Sequence, residues 1–257
     1  MDGFRVDVAN LLVKDLSADL PSEAELAAMD RTSGTHPLMD RDEVHEIYAE
    51  WRKVFNEYTP PRCAVAEAWV ETLERRAKYA SSEGLGQAFS FDLLVADFDA
   101  GQFRQIITDN LEQVRLTGST STWVFSNHDV TRHATRYGLP PLNGRNVKQG
   151  VEWVKAGGPA DKIDVDRGIR RAKAATMLML ALPAPPTCTR ARSLACTRSR
   201  PSPLNSVRTP RSSAVPSMTD SAGMAAGSLP WEPDGTSFGF GTGGSHLPQP
   251  GWFARTP

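Results

Sequence analysis

The chain has 257 residues, 40% of them hydrophobic, with 29 basic against 30 acidic side chains. This length and apolar content allow one barrel-sized domain or two smaller ones. The near-zero net charge argues against nucleic-acid or membrane-surface binding driven by charge. No apolar run reaches the ~18–20 residues of a membrane span; the longest, 172–182, is interrupted by Lys173 and reads as a buried helix. No signal peptide is visible, so a cytoplasmic location is expected. The three cysteines make a poor disulfide set, and Cys63, ahead of a buried-strand pattern, is expected to be a small core residue.

In chain order, the pattern predicts a strand over 4–8. A helix over 41–58 follows, with Val44, Ile47, Tyr48, Trp51 and Phe55 at helical spacing. A strand over 64–69 and a helix over 71–80 come next. A strand over 87–94 precedes a helix over 103–114, where Phe103, Ile106, Ile107, Leu111 and Val114 share a face. A strand over 121–126 and a helix over 164–182 complete the run. Strands alternating with helices imply a parallel sheet. Long stretches, 15–40 and 132–162, follow strands.

Three short segments carry the chemistry: GFRVD at 3–7, AVAEAW at 64–69 and FSNHD at 125–129. Each closes a strand-type apolar run and carries a carboxylate: Asp7, Glu67 and Asp129. The acids lie sixty and sixty-two residues apart, about two βα units per step at ~30 residues per unit. Acids at the carboxyl ends of parallel strands can converge on one cleft, as glycoside hydrolysis requires. Taken alone, Arg5 and Asp7 would read as a structural ion pair, Glu67 as a helix-opening acid, and Asn127 and Asp129 as turn formers.

Together these motifs resemble the alpha-amylase superfamily of retaining glycoside hydrolases, in its alpha-glucosidase and oligo-1,6-glucosidase branch. The segments HPLMDRDEVHEIYAEWR, GLGQAFSFDLL and HATRYGLP are similar to it as well. The resemblance implies an α/β fold: a partial (β/α)8 TIM barrel covering the fourth to seventh units, with an irregular C-terminal tail. It implies Asp7 as nucleophile, Glu67 as general acid and then base, and Asp129 as the third acid, held ionised against sugar hydroxyls. Substrate-binding roles fall to Arg5, His128 and Arg132, with a solvated loop charge as the alternative reading of Arg132. Arg5 would share a strand face with Asp7 and keep it ionised, while Val65, Ala68 and Trp69 would desolvate Glu67. Val8, after the nucleophile, is similar to the choice of enzymes accepting alpha-1,6 linkages. Tyr137 and Phe91 are further candidate sugar contacts, whereas Trp51 and Phe55 read as helix core and His45 as a surface or packing residue. No cofactor and no metal are expected. The expected partner is a small alpha-linked gluco-oligosaccharide, with no nucleic acid and no membrane.

Three regions are expected: a partial catalytic barrel over 1–183, an irregular segment over 184–228, and an in-frame remnant over 229–257. The middle segment is rich in Arg, Ser, Thr and Pro, the composition of a disordered linker. A shifted reading frame through GC-rich codons turns its start into GSTYLYQGEELGLHEVA, which is similar to the family's eighth strand. The units before the fourth have no counterpart here, and Met1 stands directly against the nucleophile strand. The alternative readings are therefore a catalytically inactive fragment or pseudogene product, and a related transglycosidase such as a sucrose isomerase. The 257-residue chain by itself is expected to turn over little substrate.

Overall fold

The computed structural model describes residues 2–17, 19–127, 129–143 and 150–183, with 232, 234–235, 237–239 and 242. The expectations for 184–228, for most of 229–257 and for His128 lie outside these residues. The described chain forms two compact units. The first comprises 2–91, 103–123 and Pro183; the second comprises 92–102 and 124–182.

The first unit holds a four-stranded sheet: β1 (Gly3–Val6), β2 (Cys63–Ala66), β3 (Gly86–Ser90) and β4 (Thr122–Trp123), in that spatial order. All three pairings are parallel. Each connection carries a helix, as parallel neighbours demand. Between β1 and β2 lie α1 (Glu23–Ala28) and α2 (Val44–Phe55); α3 (Leu73–Ala80) joins β2 to β3, and α4 (Asp92–Val95) and α5 (Ala100–Thr117) join β3 to β4. This is the parallel α/β fold of a partial (β/α)8 barrel.

The period-two alternation of the strands sorts their side chains. Phe4 packs on Trp51 and Phe55 of α2, with ring centroids 6.1 and 5.7 Å away. Ala64, Ala66 and Ala88 join the same buried cluster as Val44, Tyr48, Tyr79 and Leu85. Small strand residues thus meet bulky helical ones. The other face of the strands carries Arg5 and Val65, paired in register, and is the face from which the acids project.

A buried polar network ties the segment after β1 to α3. Arg75 Nε donates to Asp40 Oδ2 at 2.7 Å, Tyr79 Oη donates to Asp40 Oδ1 at 2.6 Å, and Arg75 Nη1 donates to Asp42 at 2.6 Å. His45 packs edge-on against Tyr79 at 4.6 Å. Burial, with Arg75 and Lys78 nearby, pushes its imidazole down to about 4.

In the second unit, α6 (His133–Arg136) packs on α8 (Val165–Ala181), and α7 (Val151–Lys155) lies between them in sequence. Gly168 permits the contact, because a Cβ there would sit 2.2 Å from the Ala134 carbonyl oxygen. Asp164 caps α8, its side chain accepting from the Arg167 amide at 2.9 Å. Among the described residues no helix is long and apolar enough to cross a membrane.

Several expectations need correction. The strand read over 87–94 ends at Ser90, and Asp92–Val95 is helical. The strand over 121–126 shrinks to Thr122–Trp123. Cys63 is exposed, not a core residue, because it opens β2 at the sheet's end. Helix α8 buries only one stripe, Gly168, Ala172, Ala175 and Met179, while Met177 and Leu180 are exposed. Within 15–40 and 132–162 the chain also forms α1, α6 and α7.

Candidate active site

Strand β1 ends at Val6 and β2 at Ala66. The next residue of each is an acid, so Asp7 and Glu67 leave adjacent parallel strands at the same end. They lie two residues beyond Arg5 and Val65 and share their face. Arg5 Nη2 serves both carboxylates: it donates to Asp7 Oδ1 at 2.7 Å and makes a short contact with Glu67 Oε2. Two oxygens on one nitrogen can be no further apart than two hydrogen bonds laid end to end. The two carboxyl groups therefore meet at one cation. The Arg5 guanidinium also lies 5.9 Å from the centroid of Phe89, within cation–π reach.

The two acids differ in environment. The Asp7 side chain is 69% exposed and that of Glu67 5%. Burial pushes the Glu67 carboxyl above its ordinary range. A hydrogen bond with the Asp7 side chain acts in the same direction, while Arg5 and the Val8 amide oppose it. An open carboxylate beside a cation and a buried carboxyl biased toward holding its proton are the ingredients of nucleophile and acid.

The surroundings brace this arrangement. Tyr48 Oη donates to the Ala9 carbonyl at 2.6 Å, and Asn10 Nδ2 donates to the Trp69 carbonyl at 3.0 Å. Trp69, 38% exposed, stacks on Phe91 at 4.1 Å with an 18° interplanar angle. Its ring leaves Phe91 only 6% exposed, so Trp69 is the better candidate sugar platform. The sequence reading used Trp69 only to desolvate Glu67; its position two residues past the acid is the signal that was there. Tyr137 is 1% exposed and packs among Phe98, Phe125 and His133. It is a core residue of the second unit, not a sugar contact.

Asp129 and Arg132 follow β4 in the chain and belong to the second unit. Asp129 is exposed, and its amide donates to Asn127 Oδ1 at 3.0 Å. Arg132 Nη1 donates to the Asn127 carbonyl at 3.2 Å, and Arg132 stands at the N-terminal boundary of α6. Asn127 therefore organises this turn. His128 lies outside the described residues. Among the described residues no group of three or more His, Cys, Asp or Glu is arranged to hold a metal ion.

Residues 1–149 match the family described as "Alpha amylase, catalytic domain". Trehalose-6-phosphate hydrolase of Bacillus subtilis (strain 168) is 28% identical over 152 residues, which is 54% of this chain and 25% of that protein. The chain thus spans about a quarter of the length of this curated relative. Among solved structures, the alpha-glucosyl transfer enzyme XgtA superposes with a TM-score of 0.69 at 20% identity, over 99% of this chain and 44% of its own. A family GH13_31 enzyme superposes with a TM-score of 0.59 at 16% identity, over 94% of this chain and 44% of its own. At these identities the structural likeness is one of fold.

Proposed function

The chain belongs to the alpha-amylase family, and on that premise we propose that it carries the catalytic pair of an alpha-glucosidase-type retaining glycoside hydrolase acting on short alpha-linked gluco-oligosaccharides. The observation that carries the proposal is the single Arg5 nitrogen shared by Asp7 and Glu67. Asp7 attacks the anomeric carbon while the Glu67 proton passes to the departing glycosidic oxygen, leaving a glycosyl ester on Asp7. Glu67, now ionised, takes a proton from water, which attacks the same carbon and releases Asp7. Arg5 holds the two carboxyls in register. Sugar-binding roles for Asp129, His128 and Arg132 rest on the family resemblance of their motif. Trehalose 6-phosphate, named by the curated relative, belongs beside isomaltose-, maltose- and sucrose-type sugars in the substrate panel.

The test traps the covalent intermediate with 5-fluoro-alpha-glucosyl fluoride. It uses the chain and a longer polypeptide in which the remaining barrel strands accompany it. Peptide mass mapping should place the glycosyl adduct on Asp7 in the longer form, and Asp7→Asn should abolish both adduct and turnover. An adduct on another residue, or turnover that survives Asp7→Asn, would remove Asp7 from the role.

A further inference from the structure

The β1–β2 ladder runs in regular register from Gly3↔Cys63 to Val6↔Ala66. It continues with the Glu67 amide donating to the Val6 carbonyl at 2.9 Å. A regular parallel ladder would next bring the Val8 amide to the Glu67 carbonyl. Instead the Ala9 amide makes that bond, at 2.8 Å. Asp7 and Val8 together therefore oppose Glu67 alone, which is a one-residue bulge. Val8 sits at φ 46°, ψ 44°, in the left-handed region that a β-branched residue resists. Nothing about its side chain repays this, since Val8 is 43% exposed.

The conformation is imposed from both sides. Val6 is fixed in the ladder. Ala9 and Asn10 are buried and held by Glu67, Tyr48 and Trp69, and the Asn10 carbonyl accepts from the Asp40 amide at 2.6 Å. The consequence lies at the Val8 amide. Released from the ladder, it points at Glu67 Oε2, 3.4 Å away, the same oxygen that Arg5 holds. Two donors on one carboxylate oxygen occupy its two acceptor sites, so the proton that Glu67 shares with the Asp7 side chain and transfers is left to Oε1.

We infer that Val8 is a positioning residue: its strained bulge turns a backbone amide from the strand ladder onto Glu67, and so selects Oε1 as the proton-bearing oxygen. This deepens the proposed assignment of Glu67 as acid and rests on it. Strain held by a rigid surround beside a reacting group is a recurrent arrangement.

The experiment is a pH titration of the full chain by amide and side-chain carboxyl NMR. In the unaltered chain, the Val8 amide resonance should move with the same midpoint as the Glu67 carboxyl. In Glu67→Gln that movement should vanish while the Asp7 carboxyl still titrates. Val8→Gly keeps the amide and removes the penalty of the left-handed conformation, so its urea midpoint should rise with the Glu67 titration unchanged. A Val8 amide that ignores Glu67, or a Val8→Gly chain that unfolds at lower urea, overturns the inference. Failure of the catalytic assignment reads differently: the Val8 amide would still follow Glu67, while the glycosyl adduct of the trapping experiment would appear elsewhere.

Discussion

Replacing Asp40 with Asn tests whether the network behind the site holds the segment after β1 in place. Asp40 and Arg75 are 3% and 4% exposed. Asparagine keeps the volume and tolerates the left-handed φ of 48° at this position. It loses the charge, however, and it presents an NH2 group where both Arg75 Nε and Tyr79 Oη already donate. The Tyr79 hydroxyl can turn to accept from that group, so the lost charge opposite Arg75 is what counts. Breaking a buried ion pair costs about 3–5 kcal/mol. Asp42 still compensates part of the Arg75 charge, so the lower end, about 3 kcal/mol, is expected. That is more than a hundredfold in the folding equilibrium, at about 1.4 kcal/mol per factor of ten. For urea slopes of about 1–3 kcal/mol per molar, the unfolding midpoint should fall by roughly 1–3 M, read by tryptophan fluorescence. Adding Arg75→Met should restore part of the loss, because the stranded cation is the main penalty. A loss under about 1 kcal/mol for Asp40→Asn, typical of an exposed pair, would refute this account.

Other outcomes follow from the same contacts. Arg5→Met should move the Glu67 carboxyl titration further upward, since Arg5 is its main source of downward pull; carboxyl-carbon NMR reads this, and an unmoved midpoint would deny the shared clamp. His45 has a folded-state value near 4 against an ordinary 6.5. The unfolded chain therefore binds the extra proton within that window: the His45 contribution is complete above 6.5 and is lost as pH falls toward 4. Urea midpoints taken across the window should slope upward with pH, and His45→Gln should flatten the slope. Trp69→Ala should uncover Phe91 and raise KM for an oligosaccharide by up to about tenfold, the worth of one aromatic stacking contact, in a barrel-completed enzyme. An unchanged KM would return Trp69 to a packing role.

Much of the site's local geometry was legible in the chain. Arg5 and Asp7, and Val65 and Glu67, share a face because side chains alternate along a strand. Parallel pairing follows from helices between strands. The strand ends were less legible. Phe91 through Leu94 continue the apolar text of β3, yet the chain turns into α4 after Ser90. An apolar run reads alike as strand or buried helix, and packing decides between them.

The family was legible through the resemblance of three motifs. By itself, the sequence determined the alternation of strands with the longer helices and the acids that follow β1 and β2, because these depend on residue type and on periods of two and 3.6, which are local properties. Only the tertiary structure decided that one Arg5 nitrogen serves both carboxyls, that Trp69 lies on Phe91, and that Asp40 meets Arg75 thirty-five residues away. It also decided that Val8 bulges into a conformation its own side chain resists. Such contacts arise from the register between neighbouring strands and from the water excluded when segments far apart in the chain close over one another, and no local pattern encodes either.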